Sequence, residues 1–204
     1  VVWNLGQPDI KSLQEVTNLF PHIKGLVEQA VKVPGDFAEI GVYRGSTFPS
    51  LAQSAADAGK ICHAIDSFCG FAEPTAHDFS AKGRCHYPKG HYDSGGTGPL
   101  LRALGGKWPK HVHIWQGFVP EVLGRITPRP RLAFVHVDLD QYLPTYQAMA
   151  WAWGLLPKGG IVCSHDWNRG RVSAAAGVRA FMRQTGAVPT GEDIPNKYIW
   201  FIKG

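Results

Sequence analysis

Cysteine is scarce and irregularly spaced. Cys62, Cys69, Cys85 and Cys163 are the only four in 204 residues, and no two stand as Cys-x-x-Cys. That excludes a disulfide framework and points to a reducing compartment. Cys62 and Cys163 lie in apolar runs, where Cys behaves as a small hydrophobe. No apolar run approaches the ~20 residues that a membrane helix needs, and no basic-then-apolar leader opens the chain. No membrane partner is therefore expected, and a cytoplasmic location is. An initiator Met is also missing, Val1 standing first, so a longer or processed polypeptide is expected. Basic residues outnumber acidic ones, 21 to 16, for a net charge of +5, but they are scattered. Pairs such as Arg129 and Arg131 read as solvated loop charges, so no nucleic-acid partner is expected. Internal repeats are absent, and so is the Gly-x-Gly-x-x-Gly fingerprint, which counts against an NAD-type oxidoreductase.

What is present is enough for one well-cored domain: 44% hydrophobic residues, seven Trp and ten Phe. The chain is organised around Gly35-Asp36-Phe37-Ala38-Glu39-Ile40-Gly41-Val42-Tyr43-Arg44-Gly45-Ser46-Thr47. This reads as a buried strand, a glycine turn and the start of a helix, where backbone N–H groups meet a nucleotide-like ligand. The acidic residue before the glycines, in Glu-x-Gly-x-x-x-Gly, suits a cationic ligand end better than a pyrophosphate. That is what an S-adenosylmethionine (SAM) site asks for. Tyr43 and Arg44 sit in the turn, either as solvated loop or against the SAM carboxylate, and both readings stand.

Before this turn, apolar residues at helical spacing from Leu13 to Val33 predict helices broken at Pro21, a segment (residues 1–34) that packs on the core. After it, Ser46 to Ala58 reads as a helix capped by Gly59, and Lys60 to Asp66 as a second strand. Asp66 ends that strand about twenty residues past the turn, where a carboxylate can accept from two ribose hydroxyls; the bland reading is a helix cap. Residues 70 to 98 are irregular and glycine-rich, and are expected to form a loop or lid over the substrate. Cys85, His86, His91 and Asp93 invite a zinc reading that matches no standard spacing. His111 to Gly117 reads as a third strand, with a short helix from Val119 to Ile126.

The second informative stretch runs from Leu132 to Tyr142, an apolar strand delivering Asp138 and Asp140 at its end. A helix opened by Pro144 runs to about Leu156, with Trp151 and Trp153 as core or an oligomer face. Ile161 to Trp167 is a fifth strand ending in His165 and Asp166. A helix from Val172 to Thr185 follows, and Tyr198 to Ile202 is a last strand, antiparallel at the sheet edge. The alternation predicts a single α/β domain over 35–204, a Rossmann-like doubly wound, mostly parallel sheet with a C-terminal antiparallel strand. Asp138, Asp140, His165 and Asp166 then gather over the ligand crevice. Asp140 is expected to cap the following helix, leaving Asp138, His165 and Asp166 as the reaction centre. His136, inside its strand, reads as a core histidine, and Trp167 as a wall of the acceptor pocket.

The stretches Gly35 to Ser46, Asp66-Ser67-Phe68-x-Gly70-Phe71-x-Glu73-Pro74, Phe134 to Thr145 and Pro157 to Trp167 together resemble the macrocin O-methyltransferase family of class I SAM-dependent methyltransferases. The resemblance implies the class I methyltransferase fold and transfer of a methyl group to a hydroxyl of a small molecule, a sugar or glycosylated natural product. It implies that Glu39, Gly41 and Gly45 hold the methionine part of SAM, and Tyr43 and Ser46 of the same turn are expected among the cofactor-binding residues. Asp66 would hold the ribose, with Ser67, Gln116 and Gly117 beside the adenosine. A divalent cation, Mg²⁺ or Mn²⁺, would lie on Asp138, His165 and Asp166. His165 departs from the family's carboxylate, and imidazole suits Mn²⁺ better than Mg²⁺. Two alternatives remain open: a metal-independent enzyme with His165 as base, and a non-catalytic binding module on the same fold. A homo-oligomer is compatible with all three.

Overall fold

In the computed structural model, residues 22–168 and 173–204 are described. The expected N-terminal segment up to Pro21 and the start of the helix expected from Val172 lie outside them. Helical residues 22–30 (α1) bury Ile23, Leu26, Val27 and Ala30 against the sheet. Then follow β1 (Asp36–Ile40), α2 (Phe48–Asp57), β2 (Cys62–Asp66), α3 (Gly98–Ala103), β3 (Val112–Gln116), α4 (Glu121–Gly124) and β4 (Leu132–Val137). The chain ends with α5 (Tyr142–Leu155), β5 (Ile161–Ser164), α6 (Ser173–Thr185), β6 (Gly191–Asp193) and β7 (Tyr198–Ile202).

The seven strands lie in the order β3-β2-β1-β4-β5-β7-β6. The first five are parallel, while β7 runs antiparallel to β5 and to β6. The central strands bury every residue of β4 and β5, because helices cover both faces of a parallel sheet. On one face Ala38, Val135, Val162, Met149 and Phe181 form one apolar cluster with α5 and α6. On the other, Phe37, Phe134, Leu51 and Ile161 form a second with α1 and α2. The order reverses between β1 and β4, and there the crevice outside the carboxyl ends of the strands opens.

Several sequence expectations shift. The short helix expected from Val119 to Ile126 is a single turn. Tyr198–Ile202 is antiparallel as expected, but is not the edge: the three-residue β6 pairs outside it. The helix after β4 begins at Tyr142, two residues before Pro144. All four cysteines are free thiols. Trp151 and Trp153 pack against the core, and Lys203 lies 4.1 Å over the Trp153 ring. No helix of the described residues is long and apolar enough to cross a membrane.

Candidate active site

Five strand ends build one cavity of about 280 Å³. The β1 turn contributes Gly41, Tyr43 and Ser46, the end of β2 contributes Asp66 and Ser67, and Gly117 follows β3. The ends of β4 and β5 bring Asp138, Asp140, His165 and Asp166 to the same cavity. The two groups of residues singled out from sequence thus meet across the β1–β4 seam.

Glycine at 41 answers to packing. Its φ is +92°, and a Cβ there would overlap the carbonyl oxygen of Asp138; the β1 turn lies directly on the end of β4. Gly45 (φ +83°) is buried, with α3 so close that a Cβ would press into Leu100. Asp66 holds the same turn from the other side. Its Oδ2 accepts from the Val42 and Tyr43 N–H groups, both at 2.7 Å, and its Oδ1 from Phe68 N–H at 2.6 Å. The Ser67 hydroxyl donates to the Gly70 carbonyl at 2.7 Å. Asp66 Oδ1 is a distant 3.5 Å from that hydroxyl, whose one proton serves Gly70, so Oδ1 keeps a lone pair for a further donor.

Three of the residues expected on the cofactor lie outside the cavity lining. Glu39 is only 2% exposed and faces its register partner on β4, its Oε1 lying 2.7 Å from His136 Nδ1. Burial raises its pKa, and His136 offsets part of the rise. His136 is therefore a core histidine satisfied on one side, its Nε2 lacking a partner. Gly45 is buried against Leu100 and Ala103 of α3. Gln116 is exposed, its side chain donating to the Ser67 carbonyl at 3.3 Å.

At the other end, His165 Nδ1 lies 3.1 Å from Asp138 Oδ1 and 3.4 Å from Asp166 Oδ2. Burial works against charge on the ring, but Asp138 and Asp166 outweigh it and push its pKa up to about 10. Burial likewise disfavours charge on Asp166, yet His165 and Asp140 bring it down to about 2. Asp140 goes the other way: burial, Asp166 and Asp138 push it up to about 9. At neutral pH the cluster thus holds an imidazolium, an ionised Asp166 and a protonated Asp140. Asp140 and Asp166 also sit at φ +57° and +56°, as does Tyr43 at +51°. Such backbone costs on the order of 1 kcal/mol for each residue and clusters at functional sites.

Asp140 does not cap α5, contrary to expectation. The Tyr142 N–H donates instead to Asp78 Oδ1 at 2.7 Å, from the loop after β2. Asp140 faces the cavity. Trp167 does not line it either: it is buried, donates to Glu192 Oε2 at 2.7 Å, and carries Arg179 4.6 Å over its ring. Phe71 and Tyr92 line the cavity from the loop, and Tyr92 packs edge-on to Tyr43 at 5.4 Å. No spacing marked them; a run of aromatics in a glycine-rich loop was the available signal. Among the described residues, the only group placed to hold a metal ion is Asp138, His165 and Asp166, their ligand atoms within 4.8 Å of one another. Cys85, His86, His91 and Asp93 form no such group.

A parallel sheet reversing at β1–β4, a glycine turn, a strand-end acid on β2 and an acidic cluster on the next two strands define a class I SAM-dependent methyltransferase. Residues 38–167 match the sequence profile of a methyltransferase domain, and the chain belongs to that family. Among solved structures, CalS11, a calicheamicin methyltransferase, matches with TM-score 0.68 and 20% identity over 97% of this chain and 94% of its own. The O-methyltransferase NovP matches at 0.65 and 17% identity, over 95% and 80%. An O-methyltransferase from Bacillus cereus in complex with SAH matches at 0.55 and 15%, over 98% and 94%. At these identities the likeness is one of fold. Comparison with curated proteins finds no match.

Proposed function

We propose that this methyltransferase acts on a hydroxyl of a small molecule, a sugar or glycosylated natural product, at the cluster of Asp138, His165 and Asp166. The observation that carries the reading is that cluster's position in the same cavity as the β1 turn and Asp66. Support comes also from one protein of like fold, CalS11, a calicheamicin-biosynthesis enzyme described as a TDP-rhamnose 3'-O-methyltransferase. SAM, when bound, supplies a sulfonium methyl group to the acceptor oxygen.

The residues' part is then binding, orientation and proton handling. The β1 turn and the free lone pair of Asp66 suit the methionine and ribose ends. Tyr43, Phe71 and Tyr92 form an aromatic wall that excludes water. The acceptor oxygen gains the methyl and gives up its proton to Asp138. A divalent cation would be held by Asp138, His165 and Asp166, two oxygens and one nitrogen suiting Mn²⁺ better than Mg²⁺, and would supply Lewis-acid activation of the hydroxyl. The metal-independent alternative has His165 as base. One observation favours keeping it: Nδ1 already faces both carboxylates. Its proton must leave first, so that mechanism speeds up toward pH 10.

The test is transfer of labelled methyl from SAM to a panel of free and conjugated sugars, with chelator or with added Mn²⁺. Asp138→Ala is expected to lower turnover at least ~100-fold while SAM still binds. Unchanged turnover removes Asp138 from the mechanism. Full activity in chelator, rising up to pH 10, selects the metal-free form.

A further inference from the structure

The segment from Ser67 to Thr97 contains one turn of 3₁₀ helix, Ala76–Asp78, and no strand. A loop of that length is ordinarily a mobile lid, but this one is tied to the site at several points. The Gln141 side-chain amide spends both its N–H groups on loop carbonyls, those of Ala72 and Tyr87, each at 3.0 Å. Gln141 is 1% exposed and sits between Asp140 and Tyr142. Asp78, equally buried, accepts from Tyr142 N–H with one oxygen and from Thr75 N–H with the other. Within the loop, Phe71 N–H donates to His91 and Gly90 N–H to Phe71, both at 3.0 Å. Ser94 closes the far end on the Phe68 carbonyl at 3.1 Å. The Phe71 ring packs edge-on to Tyr87 at 5.6 Å and to Tyr92 at 5.4 Å. Tyr87 is half-buried near Asp140, and burial first, then the charge of Asp140, raises the pKa of its hydroxyl.

We propose that Gln141 is a positioning residue that bolts the 70–98 loop to the start of α5, making it a preformed acceptor wall that holds Phe71 and Tyr92 at the cavity before any ligand binds. On this proposal the loop expected from sequence as a lid acts instead as a fixed wall. The inference rests on the proposed acceptor site only for what the wall faces; the bolt itself is independent of the acceptor's identity.

Hydrogen exchange of the Phe71 and Gly90 amides, with and without SAM, tests it, because both donate inside the loop and report its opening. In the wild type, saturating SAM is expected to change their exchange less than ~3-fold. Gln141→Met, which keeps the shape and loses both donors, is expected to speed it at least ~10-fold, with β4 amides unchanged. Gln141→Glu keeps one donor while its carboxyl is protonated. Its loop protection is therefore expected to fall as pH rises from 6 to 9, after correction for intrinsic rates, while that of Gln141→Met stays flat. Asp78→Ala, cutting the second tie, is expected to loosen the same amides if Gln141→Met does not fold. A rise in wild-type protection of more than ~10-fold on adding SAM would overturn the proposal in favour of a lid. Unchanged exchange in both Gln141 variants would overturn it too. Calorimetry of SAM on the same samples separates the readings: absent SAM binding defeats the methyltransferase site and leaves the loop result standing.

Discussion

Held between Asp138 and Asp166, the His165 ring keeps its proton well past neutrality, and that sets the pH behaviour of the whole cluster. A group whose folded pKa is raised contributes stability that is complete below its ordinary value and is lost as pH rises through the folded one. His165, raised from 6.5 to about 10, and Asp140, raised from 3.8 to about 9, act in the same direction above neutrality. The melting temperature is therefore expected to fall as pH goes from 7 to 10. In His165→Gln the slope should flatten, which thermal unfolding in a pH series would read. Asp138, His165 and Asp166 were legible as a set because each ends an apolar strand, and strand ends face the crevice. Asp78 and Gln141 were not. Asp78 acts on Tyr142, 64 residues away, and no local spacing carries a contact that only the folded chain makes. Asp140 was misassigned for the same reason: its neighbour in sequence has a helix cap, but the cap arrives from the loop.

The β1 turn shows how an element can be read correctly while its cause is not. Its glycines suggested close approach of a ligand, whereas the crowding atom at Gly41 is the Asp138 carbonyl oxygen. Gly41→Ala forces a Cβ against backbone at a positive φ, and is expected to destabilise the protein by about 2 kcal/mol or more. At this chain length that lowers the melting temperature by several degrees, measurable by calorimetry; a Tm within 1 °C or so of wild type would contradict the packing account. Strand positions were legible from apolar runs, and their starts moved by at most two residues, but β4 stops at Val137 and β5 at Ser164, short of the expected Tyr142 and Trp167. β6 was missed because Gly191-Glu192-Asp193 has neither length nor apolar alternation, and it forms only because β7 offers it an edge.

At the scale of the molecule, the alternation of strands and helices sufficed for a doubly wound sheet, and the late run Tyr198 to Ile202 for an antiparallel strand. The order of the strands was not written in any single motif. It follows from pairing β1 with both β2 and β4, which puts the glycine turn beside the acidic strand ends and so makes one cavity of two distant motifs. The central claim is that this cavity binds SAM at the Asp66 end and reacts at the Asp138 end. Calorimetric titration of SAM into the wild type, Asp66→Asn and Asp138→Ala tests it most directly. The account predicts saturable binding to the wild type, at least ~10-fold weaker binding to Asp66→Asn, and near-wild-type binding to Asp138→Ala. Equal affinity of the wild type and Asp66→Asn, or binding lost only in Asp138→Ala, would contradict it.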